Sequence, residues 1–195
     1  YAIQRLVDRP FRTTFGNLRI SDAAIEMIEE WAVEPDRDVP EIFGLNESRS
    51  WLHAWAQTSA KQDVEAGLAY TRATPFKLAH LPHTSEDGIL TPAPVHYTGP
   101  VAIIGGPKGG SHLDQFVSMF ADNGLAFTIG MPTGGYSNTW EAEETLYFPG
   151  TTQPVVQFMW NVGHTLRPNG EILEGNAVQP EVYVPLTREN FRTYH

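Results

Sequence analysis

The sequence contains no cysteine in 195 residues. Disulfides, thiol nucleophiles and cysteine-based zinc sites are excluded, although no compartment follows from that. A secreted, periplasmic or extracellular setting is favoured. No apolar run approaches the ~20 residues that a membrane-spanning helix needs. No signal peptide is present, and the first residue is Tyr1 rather than Met, which reads as a processed or cut chain. Basic residues are scarce: 13 Lys and Arg stand against 23 Asp and Glu, for a net charge of −10. With no basic stripe to neutralise phosphates, nucleic acid and anionic membrane surfaces are poor partners. Lysine is rarer still. Lys61, Lys77 and Lys108 are the whole set, and none follows position 108.

What is present supports a folded chain. Hydrophobic residues make up 41%, with five Trp, seven Tyr and ten Phe, enough for a sizeable core at the length of an ordinary domain. Residues 1–75 read as a mostly helical region. Ser21 caps a helix through about Val33, with Ile25, Ile28 and Trp31 on one side. A second helix is expected from about Ser48 to Ala69, with Leu52, Trp55, Ala56 and Leu68 as its apolar side. Residues 76–100 form a proline-rich extended connector with an edge strand. From 101 to 195 the pattern turns to strand, loop, helix and strands, and the class is α/β.

The chemistry concentrates at Ser111. A short apolar strand, Val101 to Ile104, leads into Gly105-Gly106-Pro107-Lys108-Gly109-Gly110. Ser111 then opens a helix to Asn123, with Leu113, Phe116, Val117 and Phe120 at helical spacing and Gly124 as its stop. Glycines, Gly110 among them, let a backbone approach a substrate carbonyl closely. The helix N-terminus offers N–H groups and a positive dipole end, and the His112 N–H is the natural donor to an oxyanion. Given a base, a serine there attacks a carbonyl. The plain alternative is that serine is simply a good N-cap after a glycine loop. A phosphate loop of the type Gly-x-x-x-x-Gly-Lys-Ser/Thr is absent, because Lys108 precedes the last glycines.

Residues 99–136 carry a closer pattern: Gly99-Pro-Val-Ala-Ile-Ile, then Ser111 with Asp114 three residues on, Ala121-Asp122-Asn-Gly124, and Ile129-Gly130-Met-Pro132-Thr133-Gly-Gly135. The stretch Gly170 to Pro180, with Glu174, closes it. This resembles the tail-specific, or C-terminal-processing, serine peptidases. The start, Val7-Asp-Arg-Pro10-Phe and Ile20 to Trp31, resembles the branch typified by the chlamydial protease-like activity factor and, more distantly, the tricorn core peptidase.

The resemblance implies a ClpP/crotonase-like spiral of short strands with outer helices. It also implies hydrolysis of a polypeptide through an acyl-enzyme on Ser111, with no metal or cofactor. Many members use a lysine 25 residues after the serine. That position is Tyr136 here, which argues against a Ser–Lys dyad. The other branch uses Ser, His and Glu, and its Glu maps to Glu174. Its His lies upstream of the nucleophile, in a segment expected to precede Tyr1, as does a Gly-Gly pair supplying a second oxyanion N–H. Gly175 replaces the family's usual Asn, and Ala177 its usual Gly. A homo-oligomer is left open.

Two rivals remain. One is a non-catalytic peptidase-like domain that binds peptides or partner proteins. The other is a crotonase-type acyl-CoA enzyme, for which no nucleotide pocket is marked. Of the histidines, His80 and His83 have a chelating spacing around Pro82 but no third ligand in view. The His112 ring is expected to face substrate or solvent, and His164 to be hydrogen-bonded within the structure. Asp114 is explained by the helix dipole. Asp122, at the unfavourable end of that dipole, is expected to pair with something. Glu141, Glu143 and Glu144 read as a solvated strand edge.

Overall fold

Helical and extended segments alternate along the chain, each cut short by glycine, proline or a polar turn. The structure, a computed structural model, describes residues 2–33, 45–75, 87–137 and 140–193. In chain order the elements begin α1 (Ala2–Leu6), β1 (Phe11–Arg12), β2 (Phe15–Leu18), α2 (Asp22–Trp31) and α3 (Leu45–Trp55). A π-helical turn, Ala56–Ala60, leads into α4 (Lys61–Glu65), β3 (Thr74–Pro75) and β4 (Ile89–Leu90). Then come β5 (Ala102–Gly105), α5 (His112–Asp122), β6 (Phe127–Gly130), β7 (Glu141–Tyr147), β8 (Pro154–Asn161), β9 (Gly163–Leu166), β10 (Val182–Tyr183) and α6 (Arg188–Thr193). Helices mixed with open sheets make this an α/β chain, as expected. No helix among the described residues is long and apolar enough to cross a membrane.

Two compact units share the chain, each assembled from distant stretches: residues 1–15, 84–137 and 166–195 form one, and residues 16–83 and 138–165 the other. The first unit is built on a parallel sheet in the order β10-β6-β5. Ala102 lies opposite Phe127, and Val182 opposite Ile129. Parallel neighbours need a crossover, and α5 supplies it between β5 and β6. Beneath it Val117, Leu173 and Val178 are buried, with Ile103, Phe116 and Ala121 packed against them. Phe120 is fully buried, which contributes about 1.5–3 kcal/mol relative to exposure.

The buried side of α5 departs from the apolar stripe expected of it. Leu113 is 59% exposed, while Asp114, Gln115 and Ser118 are buried beside Val117, Met119 and Phe120. Polar residues go inward because partners wait there. The Gln115 amide donates to Ser137 Oγ (3.1 Å) and its Oε1 accepts from Thr14 (3.2 Å). The Ser118 hydroxyl donates to the Gln115 carbonyl (2.9 Å). At the C-terminal end Asp122 does find its partner: Arg167 donates from Nε (3.0 Å) and from Nη2, and both side chains are buried. Asn123 exchanges hydrogen bonds with the Arg12 backbone (2.8 and 2.9 Å), and Gly124 at φ 59° stops the helix. A turn forms at Asn169-Gly170, with the Arg167 N–H donating to Glu171 C=O (2.8 Å).

In the second unit Ser21 caps α2 by accepting the Ala24 N–H (3.4 Å). The next helix starts at Leu45, three residues before the expected Ser48, and ends at Glu65 rather than Ala69. Its middle turn is π-helical, which no spacing of apolar residues announces. Trp55 and Ala56 are buried as expected, whereas Leu68 is exposed. Trp55 and Trp140 stack at 5.5 Å, Trp31 lies 5.5 Å from Trp140, and Trp51 adds to the group at 6.4 Å from Trp55. Buried Asp63 accepts the Arg72 backbone N–H and Nε, each at 2.7 Å. A sheet in the order β3-β2-β9 and the antiparallel pair β7–β8 complete the unit. His80, His83, Lys77 and the prolines at 35, 40 and 82 lie outside the described residues.

Candidate active site

The site grows from one turn. After β5 the chain passes through the glycine loop, and the Leu113 N–H returns to the Gly110 carbonyl (3.1 Å). Ser111 occupies the second position of that turn, at φ 56° and ψ −125°, where glycine is usual. It is the only non-glycine residue with positive φ among the described residues. A serine held there stores on the order of 1–3 kcal/mol of backbone strain, a cost that clusters at functional sites. Ser111 stands at the N-cap of α5, yet its hydroxyl makes no capping hydrogen bond. The plain N-cap explanation of this serine therefore fails. The residue is exposed, as are Lys108 and His112 on either side. Leu113 remains exposed too.

The segment 134–136 lies directly against this turn. The Ser111 N–H donates to Tyr136 C=O (2.8 Å), and the Gly134 N–H donates to Gly109 C=O (2.7 Å). The Tyr136 ring lies against Gly110 and Gly134 so closely that a Cβ on either would collide with it. Tyr136, 25 residues after Ser111, thus lays an aromatic ring on the nucleophile loop.

Asp114 does more than favour a helix dipole. Its carboxylate is fully buried and accepts two successive backbone N–H groups, Gly135 on Oδ1 (3.1 Å) and Tyr136 on Oδ2 (3.2 Å). Sequence spacing does not reveal this, because the partners lie 21 and 22 residues away. The only signal was an acid three residues after the serine.

On its other edge the same segment meets the Glu174 turn. The Gly175 N–H donates to Gly135 C=O (2.7 Å), and the Thr133 N–H donates to Val178 C=O (3.2 Å). Leu173 is buried as the anchor of the turn, and the Asn176 N–H closes it onto Leu173 C=O (3.0 Å). Glu174 sits exposed at the tip, with no hydrogen bond or ion pair among the described residues. Gly175 has φ 75°, a conformation that asparagine also tolerates. The Ser111 turn and the turn that carries Glu174 are thus both hydrogen-bonded to the adjacent residues Gly135 and Tyr136.

In the other unit, His164 Nδ1 lies 3.1 Å from Asn17 Oδ1, and its ring stacks on Tyr70 at 5.1 Å. This is the hydrogen-bonded, structural setting expected of it.

No family model and no curated protein matches this sequence. Solved structures do match in fold. Mature CPAF complexed with lactacystin superposes with a TM-score of 0.68 at 18% identity, over 98% of this chain and 37% of that one. Mature CPAF alone gives 0.67 at 18% identity, over 97% and 36%. A serine-to-alanine CPAF mutant gives 0.64 at 15%, over 98% and 36%. CPAF is the chlamydial protease-like activity factor, of the tail-specific protease family. The chain therefore shares its fold with part of a peptidase and spans little more than a third of that protein's length.

Proposed function

We propose that this chain is the nucleophile-bearing part of a serine endopeptidase, and that its sheets and helices belong to a crotonase-like spiral. The observation that carries the reading is Ser111: exposed, strained, uncapped, and seated where a glycine loop meets a helix N-terminus. The Ser111 Oγ attacks the scissile carbonyl while its proton passes to a histidine supplied from outside these 195 residues. Negative charge develops on the carbonyl oxygen next to the His112 backbone N–H and Gly110, at the positive end of α5. Glu174 orients the histidine and stabilises its charged form. The imidazolium then protonates the departing amine as the C–N bond breaks. Water hydrolyses the acyl-serine by the same route in reverse.

Support for the Glu174 assignment is the bridge from Gly135 to Tyr136, which joins its turn to that of Ser111. The fold shared with CPAF supports a peptidase over the other classes.

The rival is a peptide-binding domain without catalysis. Tyr136 favours it, since its ring packs on the glycine that the enzyme reading places beside the oxyanion. A fluorophosphonate probe separates the two, because only an activated serine reacts. The experiment applies the probe and a polypeptide substrate to the full-length protein, to its Ser111→Ala variant and to the 195-residue chain alone. The enzyme reading requires labelling and cleavage by the full-length protein and the loss of both in Ser111→Ala; the 195-residue chain alone is expected to show neither. A full-length protein that neither labels nor cleaves leaves the binding domain.

A further inference from the structure

Asp22 and Asp114 both sit in the first turn of a helix, and the contrast between them is informative. Asp22, in α2, is exposed, which is all that a favourable interaction with the helix dipole needs. Asp114, in α5, is fully buried. Removing a carboxylate from water costs several kcal/mol unless hydrogen bonds compensate, so its burial calls for a further explanation.

The partners of Asp114 form a closed pattern. Gly135 gives its N–H to Asp114 Oδ1 and takes the Gly175 N–H on its carbonyl. Tyr136 gives its N–H to Asp114 Oδ2 and takes the Ser111 N–H on its carbonyl. Each residue of the pair therefore spends one backbone group on Asp114 and the other on one of the two turns that carry Ser111 and Glu174. The Tyr136 N–H shares a peptide plane with the Gly135 carbonyl, so its bond to Asp114 sets the direction of that carbonyl, and the two bonds together restrain the approach to Tyr136, whose own carbonyl follows one backbone rotation later. The Ser111 N–H bond lies beside the strained φ of that residue, so the same contact helps hold the serine in its unusual conformation.

We propose that Asp114 is a positioning residue for the reaction assigned to Ser111. Its carboxylate grips the Gly135–Tyr136 pair and so sets the register between the nucleophile turn and the Glu174 turn. This role rests on the serine peptidase reading. Asparagine is the discriminating replacement. It has the same size, but it offers one acceptor oxygen where two N–H groups converge, and its NH2 opposes the second.

The test uses the full-length protein carrying Asp114→Asn, with Ser111→Ala as reference. Displacements of about 1 Å in a catalytic constellation can cost ~10²-fold. The expected result is a fall in kcat of that order with KM changed less than about threefold, since peptide binding is left in place. Amide hydrogen exchange supplies the structural readout. Exchange at Ser111, Gly135, Tyr136 and Gly175 accelerates at least about tenfold, while Phe120 in the body of α5 keeps its protection. The unaltered protein gives a measurement that survives a variant that fails to fold. There the four amides exchange with one shared opening free energy, and scattered protection among them would overturn the proposal. Unaltered kcat in Asp114→Asn, with Ser111→Ala inactive, overturns the positioning role alone. Retained cleavage by Ser111→Ala overturns the peptidase reading and the role together.

Discussion

Ser111 places chemistry and stability in opposition at a single residue. Its φ of 56° suits glycine, not serine. Ser111→Gly is expected to be more stable than Ser111→Ala by about 1 kcal/mol, because alanine keeps the Cβ strain and glycine releases it. Both variants lose labelling by a fluorophosphonate. Native-state amide exchange along α5 reads the difference, and an alanine variant as stable as the glycine variant would contradict the strain. Gly110 poses the converse problem. Gly110→Ala is expected to cost about 1–3 kcal/mol by driving a Cβ into the Tyr136 ring. A second change, Tyr136→Ala, should recover most of that loss, as a double-mutant cycle would show. The serine itself was legible in the sequence, since a glycine pair before an amphipathic run marks a helix start. Its positive φ was not, because serine carries no signature of that conformation. The work of Asp114 was hidden for a different reason: an acid in a first turn already has a sufficient local explanation.

At the scale of elements, spacing foretold where α5 begins and ends and that Phe116, Val117 and Phe120 face the core, but not that Leu113 turns outward while polar residues join the buried side. Hydrophobic periodicity assumes that polar residues face water. Here Asp114, Gln115 and Ser118 find partners inside, and the helix turns Leu113 outward. The π-helical turn at Ala56–Ala60 escaped notice because an extra residue in one turn leaves composition unchanged. The pairing of α5 with the turn after β9 has a measurable weight. Arg167 and Asp122 are both buried, so Arg167→Met leaves a carboxylate without its cation and is expected to destabilise by about 3–5 kcal/mol. The double variant Arg167→Met, Asp122→Leu is expected to recover much of this. Equal losses in the single and double variants would show that the pair is not coupled. At the other end of the scale, Ser21→Ala should cost about 1 kcal/mol through the lost cap of α2.

For the whole molecule, the sequence foretold an α/β chain but not two units woven from separated stretches. Linear reading divides a chain at composition changes, and here residues 138–165 return to the unit begun at residue 16. Function has the same dependence on what lies far away in sequence. Without a base, serine remains protonated and weakly nucleophilic. General-base catalysis typically contributes ~10²–10⁴-fold. The 195-residue chain alone is expected to show no measurable cleavage, and strong Ser111-dependent cleavage by it would reveal an internal base, with His164 the first to substitute. The tryptophan cluster decides how such experiments can be followed. Trp31, Trp51, Trp55, Trp140 and Trp160 all belong to the unit of residues 16–83 and 138–165. Rings 5.5–6.4 Å apart share excitation, so near-ultraviolet light absorbed by one indole is emitted by the group. Within these 195 residues, emission excited at wavelengths that phenols do not absorb therefore watches that unit alone, and the unit that carries Ser111 has only phenolic fluorophores. Tyr136, resting on the nucleophile loop, is the natural optical witness to that site.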